Sequence, residues 1–106
     1  MTDPLTRLRL DYRSALVGYL SRRGETQLNS AYELGRAAIL GQVSVLDLVQ
    51  VHNSVTLDLI RGATGADERL EVAEAAAAFL VEVLASSEMV RRGFLDTTRV
   101  ADEDAG

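Results

Sequence analysis

The run from Glu68 to Phe94, ERLEVAEAAAAFLVEVLASSEMVRRGF, contains no proline and no glycine before Gly93. Ala, Leu and Glu dominate it, and these are strong helix formers. At ~1.5 Å per residue it predicts a helix of roughly 40 Å, the longest element of the chain. Residues follow one another by about 100° around such a helix. One apolar sector then holds Leu70, Ala73, Ala77, Leu80, Val81 and Leu84. An adjoining sector holds Val72, Ala76, Phe79, Val83, Val90 and Phe94. Only a strip with Glu71, Glu74, Ala78, Glu82, Ala85, Met89 and Arg92 reads as solvent-facing. A surface helix of a small domain needs an apolar stripe of only ~100°, and this one has about twice that. One face is expected to meet the chain's own helices, the first sector being set against them. The second sector, Val72 to Phe94, is expected to serve as a packing or dimer face.

Three shorter helices are expected to precede it. Asp3-Pro4 opens the first, with Asp as N-cap and Pro at the first helical position. Leu5, Leu8, Tyr12, Ala15, Leu16, Tyr19 and Leu20 then recur at helical spacing up to about Arg23, where Gly24 supplies a stop. Thr26 is expected to cap the second helix, whose inner face is Leu28, Ala31, Tyr32, Gly35, Ala38 and Ile39, and Gly41 ends it. A glycine such as Gly35 in mid-helix costs ~1 kcal/mol relative to Ala, which points to close approach of another helix there. Ser44 caps the third helix, with Asp47 as a capping-box partner; its inner face is Val45, Leu48, Val49, His52, Val55 and Leu59, closed by Gly62. Asp67 is the expected cap of the long helix. With no period-2 runs and short connections between antiparallel neighbours, the fold class is all-α: a four-helix domain with a long C-terminal helix, expected to form a helical homodimer. The domain is assigned to residues 1–96, with 97–106 as an acidic flexible tail or linker stump.

Composition excludes more than it assigns. The 106-residue chain has no Cys and one His, so thiolate chemistry is absent and any catalytic triad would have to be built on His52. Every basic residue is Arg, so a phosphate loop ending in GK[ST] cannot occur. His- or Cys-rich metal sites are excluded by count. The glutamates of the long helix lack the Glu-x-x-His pattern of bundle metal sites and read as a solvated face. No cofactor is expected. The net charge of −5 disfavours nucleic acid held by phosphate contacts. It is unevenly spread: residues 1–24 carry five Arg against two Asp, and residues 68–106 four Arg against nine acids. No apolar run reaches the ~18 residues of a membrane span, and Met1–Arg9 has no secretory core, so a cytoplasmic location is expected. His52, central on an apolar face, reads as a buried neutral imidazole bonded to a Tyr hydroxyl or a carbonyl.

The segments LNSAYELGRAAILGQVSVLDLVQVHNSV and AAFLVEVLASSEMVRRGF resemble the N-terminal regulatory domain of RsbU-type phosphoserine phosphatases, particularly the actinobacterial branch. The likeness runs from about Leu10 to Asp96. It implies an all-helical, dimeric domain without enzymatic activity. In that family a switch kinase of the RsbT type docks on the domain and activates an attached PP2C-like phosphatase, in partner-switching stress signalling through sigma-factor regulation. The kinase-contacting positions would fall at Asn29, Val81 and Ala85. The resemblance thus implies a non-catalytic interaction domain with two partners, a second copy and a switch kinase. Two alternatives stand beside it: a stand-alone dimeric adaptor, and a small-molecule sensor with a pocket lined by Tyr12, Tyr32 and His52.

Overall fold

The computed structural model describes the backbone from Asp3 to Ala105 and the side chains from Asp3 to Gly93. Four helices follow one another: α1 (Pro4–Ser21), α2 (Glu25–Leu40), α3 (Val45–Gly62) and α4 (Ala66–Ala105). The described residues contain no strand, and the all-α expectation holds. α4 runs on past Phe94, where the apolar periodicity ends, and sets the 61 Å long axis of the molecule.

Two helical hairpins, α1–α2 and α3–α4, pack so that α2 lies chiefly on α4 while α2 and α3 touch least. The α2 and α4 axes run in the same direction. Arg23, just before α2, reaches the Glu71 carbonyl at 2.8 Å, and Gly35 further along α2 meets Val83 and Ser86. Gly35 makes this contact possible, because a Cβ there would overlap the Ser86 hydroxyl and the Val83 carbonyl. The close approach expected at Gly35 is present, flanked by buried Ala31 and Ala38.

The core is built around Phe79. Tyr12 meets it edge-on with centroids 5.2 Å apart, and Tyr19 is tilted against it at 6.1 Å. Leu16, Leu48, Val55 and Val83 are buried around them. On α4 the inward residues are Val72, Ala75, Ala76, Phe79, Val83, Ser86 and Ser87. The expected assignment of sectors is therefore corrected. The second sector meets the chain's own helices, while Leu70, Ala73, Ala77 and Val81 of the first are exposed. The large ring of Phe79 belongs to the second sector, and its burial with Val72 and Val83 goes with that face turning inward. Val90 is half-buried, and the Phe94 side chain lies outside the described residues.

Besides the far end of α4, which was expected at Phe94 and lies at Ala105, helix ends differ from expectation in three places. α1 stops at Ser21 rather than Arg23, because Arg22 and Arg23 leave the helix and Arg23 crosses to α4. α2 starts at Glu25 with extended Gly24 as N-cap, so Thr26 lies inside the first turn. α4 starts at Ala66, and Asp67 does not cap it. Instead Glu68 reaches back, accepting from the Thr64 N–H at 3.0 Å and from the Thr64 hydroxyl at 2.6 Å. Ser44 caps α3 as expected, its Oγ accepting from Asp47 N–H at 3.0 Å; no return bond from the Asp47 carboxylate occurs among the described residues. At the end of α2, Val43 N–H bonds to Ala38 O and Gln42 N–H to Ile39 O. This is a Schellman closure, with Gln42 in the left-handed region at φ 64° where glycine is usual.

Candidate interaction face on α4

With Phe79 and Val83 turned inward, the opposite side of α4 is a ridge open to solvent. Leu70, Ala73, Ala77, Val81 and Ala85 lie along it, and Val81 is 68% exposed. A furrow runs on each side. The α3-side furrow is mostly apolar, lined by Val45, Val81, Leu84 and Ala85, with Glu88 and Arg91 at its far end. The α2-side furrow is lined by Glu25, Leu28, Asn29, Tyr32 and Glu82.

The three positions that the family resemblance implies for partner contact fall into two groups beside the α4 ridge. Val81 and Ala85 share the α3-side furrow; Asn29 lies across the ridge in the other. Tyr32, one turn along from Asn29, lines the same furrow. Val45 was assigned to the inner face of α3 but is 42% exposed and belongs to the furrow. It sits in the first turn of α3, at the edge of the core beside the α4 ridge, so the helical period alone misassigns it. Of the second sector, Val72, Ala76, Phe79 and Val83 stand in the core of the chain.

Charge is distributed unequally between the furrows. Glu25 and Glu82 have no ion-pair partner among the described residues, whereas Glu88 pairs with Arg92 at 3.1 Å. The remaining surface pairs, Arg7 with Asp11 and Arg61 with Asp58, lie on α1 and α3 and are well exposed.

Tyr12 and His52 are buried against each other, with the hydroxyl 2.6 Å from Nδ1, whereas Tyr32 is half-buried in the α2-side furrow. The expected pocket of Tyr12, Tyr32 and His52 is not formed, because Tyr12 and His52 fill core space and Tyr32 lies apart from them in the α2-side furrow. His52 has the Tyr hydroxyl partner expected of it. Burial lowers its pKa and raises that of Tyr12 well above the ordinary phenol value. The pair is therefore neutral near pH 7.

Ser86 and Ser87 were missed by the sequence reading. Both are buried, their hydroxyls donating to Val83 O at 2.9 Å, and Ser87 also reaches Gly35 O at 3.3 Å. The clue was Gly35, since a helix approaching a glycine closely needs small side chains opposite. Among the described residues no group of His, Cys, Asp or Glu is placed to hold a metal ion, and no helix is long and apolar enough to cross a membrane.

A family model described as the N-terminal domain of phosphoserine phosphatase RsbU matches residues 10–89. Among curated proteins and among solved structures, nothing matches. That N-terminal domain is the regulatory rather than the catalytic part of its family, with a role in partner-switching signalling. The span of that match carries the assignment: the chain belongs to the RsbU N-terminal domain family.

Proposed function

We propose that the domain is a non-catalytic docking platform of stress signalling through sigma-factor regulation, acting in the cytoplasm. A switch kinase of the RsbT type binds it, and the bound state activates a PP2C-type phosphatase. The carrying observation is Val81, an apolar side chain left 68% exposed on the α4 ridge between two furrows. A large apolar residue so exposed in line with Leu70, at 58%, marks an interaction surface better than a solvated one. Asn29 and Ala85 border it and complete the contact. The domain works as a homodimer, which the family suggests and the remaining exposed apolar residues on α1 and α3, such as Leu10 and Leu46, can serve. Transmission runs along α4, whose C-terminal stretch continues beyond the bundle as one helix with the docking ridge. A kinase that favours one packing of α4 over another shifts the population between them.

Binding of an RsbT-type kinase to wild type and to Val81→Glu, followed by calorimetry, tests this reading. Wild type binds and Val81→Glu does not, while circular dichroism of the two stays the same. Undiminished binding by Val81→Glu would remove the α4 ridge as the docking site. Light scattering at micromolar concentration checks the dimer: a particle of 11.5 kDa is a monomer and contradicts it.

A further inference from the structure

The two furrows beside the α4 ridge differ in chemistry, and that difference restricts what can lie across them. On the α3 side Val45, Leu84 and Ala85 present apolar surface, and at its far end Arg91 stands beside Glu88, whose carboxylate is already paired with Arg92. On the α2 side Glu25 and Glu82 stand beside Tyr32 and Asn29, with no cation in the lining and no ion-pair partner among the described residues. The ridge between is largely alanine, with Ala73, Ala77 and Ala85 exposed, so an incoming helix can approach the backbone closely.

We infer that this face receives an amphipathic helix of the partner whose apolar row is bordered, on one side only, by arginine or lysine. The apolar row lies along Val81 and the α3-side furrow, and the cations reach Glu82 and Glu25. An arginine there can also stack on the Tyr32 ring while the carboxylates accept its N–H groups. The acidic rim fixes which way round the helix lies, because the reversed orientation sets its cations over Val45 and leaves both glutamates against apolar side chains. This deepens the docking reading above by stating the chemistry of the partner's contact element, and rests on that reading for the identity of the face.

Fluorescence anisotropy with two designed helical peptides tests the inference. Both carry the same leucine row; one borders it on one side with arginines, the other with glutamates. Wild type is expected to bind the arginine peptide about tenfold more tightly or better. Glu25→Arg/Glu82→Arg reverses the preference, and Val81→Glu loses both peptides. Equal affinity for the two peptides, binding of neither, or a preference untouched by the double charge reversal overturns the inference. Light scattering on Val81→Glu supplies a further arm: dissociation of a wild-type dimer assigns the face to a second copy and overturns it as well. An RsbT-type kinase titrated against the same proteins separates the two readings. If the peptide preference holds and the kinase fails to bind wild type, the kinase proposal falls and the chemistry of the face stands.

Discussion

The Tyr12 hydroxyl lies 2.6 Å from Nδ1 of His52, tying α1 to α3 beside the Phe79 ring at the centre of the core. With His52 in its neutral form carrying the proton on Nε2, Tyr12 donates and the imidazole accepts. Protonating His52 would place a second hydrogen at Nδ1, facing the one on Tyr12, in a site that burial already makes unfavourable for charge.

A pH dependence of stability follows from that arrangement. His52 has its pKa lowered by burial, so on acidification the unfolded chain takes up a proton that the folded chain resists. The contribution is present in full above the ordinary histidine value of about 6.5 and is lost as the pH falls from there through the lower folded value. The urea midpoint should decline as the pH falls below about 6.5. In His52→Gln this part of the decline should disappear. An equal decline in the variant would show that other groups are responsible.

Tyr12→Phe keeps the ring against Phe79 and removes only the hydroxyl. His52 Nδ1 then faces apolar surface with no donor, at a cost of about 1–3 kcal/mol. Chemical denaturation should show the loss, with an unchanged dependence on denaturant because the surface exposed on unfolding is the same. A neutral result would mean that water or a rearranged imidazole replaces the bond.

Three backbone positions should respond in opposite directions. Gly35→Ala gains helix propensity but sets a methyl against the Ser86 hydroxyl and the Val83 carbonyl. The carbonyl belongs to a helix and cannot step aside, so a net loss of roughly 1–3 kcal/mol is expected. Gly18→Ala meets nothing within 4 Å and should stabilise by up to about 1 kcal/mol. Gln42→Gly relieves a left-handed residue and should be neutral or stabilising by up to about 1 kcal/mol. Thermal melts of the three variants check the signs, and a stabilised Gly35→Ala would contradict the close α2–α4 contact.

The Thr64–Glu68 contact at the start of α4 predicts a second, more acidic window. The two bonds from Thr64 lower the Glu68 pKa. Their contribution is present above the ordinary carboxylate value and is lost as the pH falls through the lowered one. Thr64→Ala should weaken the melting transition near neutral pH and raise the Glu68 pKa measured by NMR titration. An unmoved titration would show that the capping contact is not populated.

How far the sequence carried the reading can be traced in α2 and α4. Gly35 in mid-helix pointed to a close helix contact, and the contact is there. Ser44 pointed to a cap, and it caps. Thr26 and Asp67 are as good cap types as Ser44, but neither is used, because Gly24 and the Glu68 return bond start those helices earlier. Of the residues proposed for partner contact, Val81 and Ala85 fall in one furrow and Asn29 in the other; their neighbours Tyr32, Glu82 and Val45 came only with the folded chain.

Helical period and glycine placement are properties of the chain itself, and they determined the all-α class and the presence of a long last helix, though not its length, since α4 runs from Ala66 to Ala105 rather than from Glu68 to Phe94. They showed that α4 has two apolar sectors without showing which one turns inward. That choice is made by packing, because a core filled to density must take the bulkiest ring available, and Phe79 with Tyr12 and Tyr19 around it turns α4 accordingly. The opposite sector, with Val81 at its centre, is exposed as a result. The acidic and apolar furrows beside it exist only where α2 and α3 flank that ridge, since they join residues far apart in sequence, Glu25 with Glu82 and Val45 with Val81.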